Sequence, residues 1–437
     1  MRWSRMRVAA ATALGAVVAA CVMAQTVVPS PQPIPAPTQS AASPALESTG
    51  SPPPAHPSAT VISSDPPAAT DEGPTAKEIA TGYTYSCALI DKGSVLCWGS
   101  NHGARVLGAE IVGSLSPVEV PELASGVTAI AAGTGHACAL VAGGSVMCWG
   151  GNGMGQLGNG AAPGADVPVP ADVTDLESVA AVAAGAYHTC ALTREGAVKC
   201  WGNNATGALG DGSTIDSGLP IDVAGLGAGV SAIAAGNAHT CALTDAGLVR
   251  CWGGNFQGQL GNGSATSSSI PVDVPGLSAI AIAAGAAHTC ALSLDGGVYC
   301  WGWGQWGQLG NGATTSTNAP VAVSALAQGV MAITTGGRHT CALRGGGNVD
   351  CWGYNSAGRL GDGSTADSSV PVAVSGLVEK AIAISAGNAH TCAVLGNGAV
   401  NCWGFNGSGQ LGTGNTTDSK VPVEVMFAGR DESQVWP

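Results

Sequence analysis

Charged side chains are scarce in this 437-residue chain, at 10% of positions, and aromatic ones are scarcer, at 4%. Glycine, by contrast, occurs 67 times. Each glycine costs a helix interior about 1 kcal/mol relative to alanine, so this composition disfavours long helices and favours many short strands joined by turns. Basic residues are also few. Fifteen Lys and Arg stand against 28 Asp and Glu, and the formal charge of −13 argues against a nucleic-acid partner.

Residues 1–24 read as an export signal: Arg2, Arg5 and Arg7, then an uncharged run from Val8 to Ala20, then small residues suited to cleavage. That run is too short to span a bilayer comfortably. Val18-Ala19-Ala20-Cys21 resembles the lipobox of bacterial lipoproteins, in which the cysteine is lipidated and becomes the new N-terminus. Ordinary cleavage after Ala24, which discards Cys21, is the other reading, and both stay open. Residues 25–76 are rich in Pro, Ser, Ala and Thr and hold 13 of the chain's 25 prolines. With few large apolar side chains the segment cannot bury a core, so it is expected to stay extended. At roughly 3.1 Å per residue in polyproline geometry it could hold the rest of the chain on the order of 150 Å from an anchor.

From residue 77 to 427 the chain repeats itself. Cysteines ten apart recur as Cys87 and Cys97, Cys138 and Cys148, Cys190 and Cys200, Cys241 and Cys251, Cys290 and Cys300, Cys341 and Cys351, and Cys392 and Cys402, with a period of 49 to 52 residues. Each second cysteine opens Cys-Trp-Gly. The fourth unit offers four short β-type segments, Ala232 to Ala235, Cys241 to Leu243, Leu248 to Trp252 and Pro271 to Val274. Seven units of four strands make an all-β, seven-bladed propeller with four-stranded blades. The period and the missing helical stripe exclude ankyrin, tetratricopeptide and HEAT arrays, and Trp-Gly in place of Trp-Asp argues against a WD40 propeller.

The string His-Thr-Cys-Ala-Leu, then Cys-Trp-Gly-x-Asn, then Gly-Gln-Leu-Gly-x-Gly resembles the RCC1 repeat over about 350 residues. That resemblance implies seven repeats in a seven-bladed propeller. The paired cysteines, the export signal and the proline-rich tether depart from the nuclear members. The first unit begins at Glu78 without a preceding Pro-Val-x-Val segment, and the chain offers Pro422-Val423-Glu424-Val425 after its last hairpin. The C-terminal strand is therefore expected to complete the first blade, leaving residues 428–437 as a tail.

Register predicts the disulfides. Opposing Cys87 with Cys97 places position 90 against 94 and leaves Asp91-Lys92-Gly93 as a three-residue loop. Glycine recurs at that loop's last position in all seven units (Gly93, Gly144, Gly196, Gly247, Gly296, Gly347, Gly398), where a positive φ is expected. Directly opposed, non-hydrogen-bonded residues lie about 4.5 Å apart at Cα, within reach of a disulfide. Zinc is set aside, since two thiols and a nearby His give at most three ligands and no Cys-x-x-Cys geometry. Cys21 is the odd fifteenth cysteine.

A catalytic group is seldom needed in six copies around a ring. His136, His188, His239, His288, His339 and His390, with Tyr85 at the same place in the first unit, therefore read as strand-end residues bonding a neighbour. Asn101, Asn152, Asn204, Asn255, Asn355 and Asn406, replaced by Gly304 in the fifth unit, read as turn formers. Gly307-Gln308-Leu309-Gly310-Asn311-Gly312 lacks the Lys of a phosphate loop. Asp211 and Asp362 open segments that suggest calcium, but other units carry Asn or Thr there.

Function should lie in residues that differ between units. The first-to-second-strand loops and the loops after Cys-Trp-Gly emerge on one face. They carry Tyr83, Tyr85, Arg105, Met154, Tyr187, Phe256, Trp303, Trp306, Arg338, Tyr354 and Phe405. Aromatics and Arg on the loops of a rigid scaffold make a protein-binding surface, although some could instead fill the central channel or cap the blades. The expectation is a non-enzymatic, monomeric, extracytoplasmic module that grips a protein or a glycan, without cofactor, catalytic residue or metal. The family resemblance implies alternatives: a secreted enzyme inhibitor resembling the β-lactamase inhibitory propellers, or guanine-nucleotide exchange, which export and disulfides disfavour. A hydrolase or lyase grafted on the loops is a further class, whose sign would be an acid pair or lone His in one blade.

Overall fold

A computed structural model describes residues 74–100, 106–108, 113–161 and 164–428. The leader, Cys21, most of the proline-rich tether, Arg105, Asn101 and residues 429–437 lie outside the described residues.

Among the described residues, 28 strands form seven four-stranded antiparallel sheets, each built from four strands consecutive in the chain. Blade 1 is Ala76–Thr81, Tyr85–Ile90, Val95–Ser100 and Gly113–Glu119. Blades 2 to 6 repeat this over 127–172, 179–222, 230–273, 279–322 and 330–373. Blade 7 is Ala381–Ala386, His390–Leu395, Val400–Gly404 and Ser419–Glu424. The first strands are neighbours around the axis, that of blade 1 lying against those of blades 2 and 7.

The hairpin register is as the cysteine spacing requires. Cys87 faces Cys97 and Leu89 faces Val95. The Ile90 amide donates to the Ser94 carbonyl at 2.9 Å, and Gly93 closes the loop with φ +80°. Every blade carries a disulfide within its own hairpin: Cys87 bonds Cys97, Cys138 bonds Cys148, Cys190 bonds Cys200 and Cys241 bonds Cys251. Cys290 bonds Cys300, Cys341 bonds Cys351 and Cys392 bonds Cys402 in the same way. The paired Cα atoms lie 4.0 to 4.1 Å apart. All fourteen of these cysteines are buried, so the bridges belong to the core and offer no surface for binding.

Because successive strand residues point to opposite faces, each central hairpin has two different sides. One carries the disulfide and the His and meets the following blade. The other carries Trp and Thr and meets the preceding one. All seven tryptophans of Cys-Trp-Gly are fully buried. Each indole N–H donates to a loop carbonyl of the preceding blade, as Trp252 does to Ala208 at 2.8 Å and Trp201 to Gln156 at 2.9 Å. A Trp buries about 150–250 Å², so each contributes several kcal/mol at ~25 cal/mol/Å². The loop's closing glycine lies against that ring: a Cβ at Gly158 (φ +68°) would sit 2.6 Å from the Trp201 Nε1.

The expected closure by strand exchange is incorrect. Pro422-Val423-Glu424 belongs to the outer strand of blade 7, where Val423 faces Cys402. Blade 1 has its own outer strand, with Val118 facing Cys97. Each Pro-Val segment therefore belongs to the hairpin before it, so no strand is missing or spare. The ring closes through the indole–carbonyl bond used at all the other seams, with one ring contact added. Trp98 donates to the Gln410 carbonyl at 2.9 Å, and Phe427 packs edge-on to the Trp98 ring at 6.0 Å. Outer edges stay exposed in this arrangement. Every outer strand carries proline (Pro117, Pro168, Pro170, Pro220, Pro271, Pro320, Pro371, Pro422), which has no N–H to offer an incoming strand.

Candidate functional site: an arginine among three aromatic rings

The loops after Cys-Trp-Gly are held from within. In blade 6 the buried Asn355 accepts the Leu360 N–H at 3.0 Å and donates to the carbonyls of Ser364 (3.3 Å) and Ala366 (3.0 Å). Asn204, Asn255 and Asn406 make the same set. The Asp362 carboxylate is engaged by Asn355 and Ser364 within this loop. Blade 5 differs: a Cβ at Gly304 would lie 2.2 Å from the Thr315 carbonyl oxygen, so the place taken by Asn in the other loops admits only glycine here. Trp303 and Trp306 flank that glycine, and the Trp306 backbone N–H is held by Gln308 Oε1 at 2.9 Å.

Blade packing brings this loop against two loops of blade 6. The Arg338 guanidinium carbon lies 5.3 Å from the Trp303 ring centroid, 5.6 Å from Trp306 and 5.7 Å from Tyr354. Trp306 and Tyr354 lie with centroids 4.5 Å apart, their planes tilted by 51°. The Arg338 carbonyl accepts the Tyr354 N–H at 2.9 Å, tying the two blade 6 loops together. Cations near π faces are attracted by roughly 0.5–2 kcal/mol, so these contacts preorganise one exposed arginine.

A second arginine completes the group. The Arg359 guanidinium lies 4.7 Å from the Tyr354 centroid. Its Nη1 donates to the Asn388 carbonyl at 3.2 Å and its Nη2 reaches Ser356 Oγ at 3.5 Å. Burial lowers its pKa to about 10, with Arg338 adding repulsion and the Asp367 and Asp418 charges opposing it, so it stays cationic at neutral pH. Sequence reading missed Arg359, although the equivalent positions hold Gln156, Gln259, Gln308 and Gln410, with Val106 and Ala208 in blades 1 and 3, so that it is the one charged member of the set.

Trp303, Trp306, Arg338 and Tyr354 are thus brought together. Tyr83, Tyr187, Phe256 and Phe405 are exposed on loops of blades 1, 3, 4 and 7, as is Met154 in blade 2, and none joins the cluster through a ring contact among the described residues. The axial channel is lined by small residues such as Ala132, Ala184, Ala235 and Ala284, with Tyr83 at its mouth.

Tyr85 is a correction: it is 0% exposed, so it is no part of a surface. It stands at the start of the second strand, where the other blades bury His, and its hydroxyl donates to the His136 carbonyl. Burial pushes its phenol pKa up. The six histidines are equally buried, and each Nε2 meets a hydroxyl of the next blade: Thr189, Thr240, Thr289, Thr340, Thr391 and, for His390, Ser86, at 2.8 to 3.0 Å. Those hydroxyls donate onward to loop carbonyls, as Thr240 does to Ala208 at 2.9 Å. They must therefore accept from Nε2–H, and burial, which lowers the imidazole pKa values, keeps the rings neutral. They hold blades together.

Fold and repeat together define a seven-bladed propeller of paired-cysteine hairpins. A family model for the RCC1-like domain matches residues 47–327, and one for the regulator of chromosome condensation (RCC1) repeat matches 347–394 and 397–435. The chain belongs to the RCC1 repeat family. The ultraviolet-B receptor UVR8 of Arabidopsis thaliana is 37% identical over 353 residues, 80% of this chain and 69% of its own length. The E3 ubiquitin-protein ligase HERC2 of Homo sapiens is 34% identical over 205 residues, 46% of this chain but 4% of HERC2. Among solved structures, that of Prp20p from Saccharomyces cerevisiae, described with its binding properties to Gsp1p and histones, superposes with a TM-score of 0.68 at 25% identity. The match covers 77% of this chain and 86% of that one.

Proposed function

We propose that this chain is an exported, non-enzymatic interaction module that grips a protein partner with the loop face of blades 5 and 6. The observation that carries this reading is the closure of Trp303, Trp306 and Tyr354 around Arg338. Trp, Tyr and Arg are the residues that dominate binding energy at protein interfaces, and here they are fixed in place before any partner arrives, which lowers the ordering cost of association. Binding of Gsp1p and histones by the related Prp20p supports a protein as the partner class. Seven disulfides fit an oxidising compartment. Residues 1–24 would direct export, and 25–76 would tether the ring, either to a lipidated Cys21 or free after cleavage at Ala24.

Affinity capture from intact cells and culture medium with the folded, oxidised ring tests the reading. Trp303→Ala, Trp306→Ala and Tyr354→Ala together should abolish capture of the partner that the unaltered ring retains, while leaving the unfolding midpoint within a few degrees. Capture unchanged by the triple substitution ends this assignment.

A further inference from the structure

We propose that the blade 5–6 cluster is a carboxylate subsite, taking an acidic side chain of the protein partner between Arg338 and Arg359; this rests on the reading just given and names the partner's chemistry. On a chain with a formal charge of −13, two guanidiniums share the Tyr354 ring, at 5.7 and 4.7 Å from its centroid. Neither is in an ion pair among the described residues. Two carboxylates whose charges act on Arg359 are engaged by backbone: Asp367 of blade 6 accepts the Asn355 N–H and Asp418 of blade 7 the Asn406 N–H, each at 2.7 Å. Like charges held together over one ring repel, and an anion between them relieves that repulsion.

Hydrogen-bonding capacity points the same way. Arg338 is exposed and makes no side-chain hydrogen bond among the described residues, so its planar fork is free to take a carboxylate in bidentate fashion. Arg359 uses two of its N–H groups, and its buried Nε has no partner. The buried Trp306 Nε1 is likewise without an acceptor among the described residues, as is Gln308 Nε2, the latter like Gln410 Nε2 at the same place in blade 7. Arg359 Nε and Trp306 Nε1 add unpaired buried donors to two cations, so the cluster is short of acceptors, and a carboxylate is acceptor-only. Trp303 supplies an apolar wall for the methylenes of a Glu. The neighbouring blades show that these charges are not needed for folding. Ala238, Ala287 and Ala389 stand where Arg338 does, and Gln156, Gln259, Gln308 and Gln410 stand where Arg359 does.

The probes are acetyl-hexaglutamate amide and acetyl-hexaglutamine amide, titrated against the oxidised ring with indole emission and calorimetry as readouts. The glutamate peptide should bind at least ten-fold tighter than the glutamine peptide, and more weakly as salt rises. Arg338→Ala and Arg359→Gln should each reduce that affinity about ten-fold, while Arg250→Ala, on an exposed pair elsewhere in the ring, should leave it unchanged. Equal affinity for the two peptides, or wild-type binding by the Arg338→Ala/Arg359→Gln ring, would overturn the proposal. Capture of the natural partner separates the two readings. If it is lost with the aromatic substitutions but kept with the arginine ones, the carboxylate assignment falls and the binding face stands. If it is kept with both, the face itself falls.

Discussion

The Tyr85 hydroxyl donates to the carbonyl oxygen of His136 across the interface between blades 1 and 2, the one interface without an imidazole–hydroxyl pair. Two substitutions coincide there. Tyr85 replaces the His of blade 1, and Ala137 replaces the Thr that such a His would meet in blade 2. The pair is complementary, so changing one member alone should cost more than changing both. Tyr85→His leaves an imidazole N–H facing a methyl group and is expected to destabilise by roughly 2–3 kcal/mol, for lost ring contacts and an unpaired buried donor. Adding Ala137→Thr should recover about 1 kcal/mol or more, measured as the coupling in a double-mutant cycle of urea unfolding. Additive effects would mean that the two positions are independent.

Acid should unfold the ring steeply. Burial holds the imidazoles far below their ordinary value, His136, His239 and His390 at about 3 and His188 and His288 at about 4, with His339 also well below it. In the unfolded chain all six titrate near about 6.5. The unfolded state therefore takes up protons that the folded state refuses. Stability from these groups is complete above about pH 6.5 and is lost as pH falls toward about 4. Six such groups give a limiting slope of ~8 kcal/mol per pH unit. Urea midpoints between about pH 7 and pH 5, with proton uptake on unfolding, check this. A midpoint that does not move over that interval contradicts the neutral, buried assignment.

Glu78 titrates with the opposite sign. Its carboxyl is buried in the inner strand of blade 1, facing blade 2, where it accepts the Ile130 N–H at 3.4 Å, and desolvation raises its pKa to about 8. The other six blades carry Ala at this place (Ala129, Ala181, Ala232, Ala281, Ala332, Ala383). A raised carboxyl costs nothing below about pH 4.5, and its penalty grows as pH rises toward 8. Glu78→Ala should therefore stabilise, and the gain should increase by roughly 3 kcal/mol between about pH 5 and pH 8. Thermal midpoints of the two proteins at those pH values decide it, a constant difference counting against a buried acid.

Much of this architecture was legible because it is repeated. The ten-residue cysteine spacing and the loop glycines, Gly93 through Gly398, constrain one hairpin and then do so in every blade, so register and disulfides follow directly from the sequence. Periodicity cannot say where a repeat begins. A segment such as Pro422-Val423, midway between hairpins, fits either neighbouring sheet until its hydrogen bonds are known, and they place it in blade 7. Position 85 serves both as a strand end and as a loop residue, and only burial separates the two roles for Tyr85. The cluster around Arg338 is visible in the sequence as unusual residues, but its assembly depends on contacts across two blades, between side chains far apart along the chain. Arg359 is visible as a charged residue where the repeat usually has Gln, but its motif reads as a turn, which drew no functional reading.

Closure of the ring can be tested by comparing equivalent tryptophans. Trp98 joins blade 1 to blade 7 through the Gln410 carbonyl, and Trp252 joins blade 4 to blade 3 through the Ala208 carbonyl. Each carbonyl also accepts a hydroxyl, from Ser86 at 3.0 Å and from Thr240 at 2.9 Å, so neither is orphaned when the indole is lost. Replacing either Trp by Phe removes one hydrogen bond and some packing, a cost of about 1–3 kcal/mol. If the closing seam is built like the internal ones, Trp98→Phe should cost at least as much as Trp252→Phe, and up to about 1 kcal/mol more for the Phe427 edge contact, and their effects should add, since the sites share no partner. A seam sealed by exchange of the last strand would behave differently. The blade 1 substitution would then be buffered by backbone pairing and would cost distinctly less than the one in blade 4.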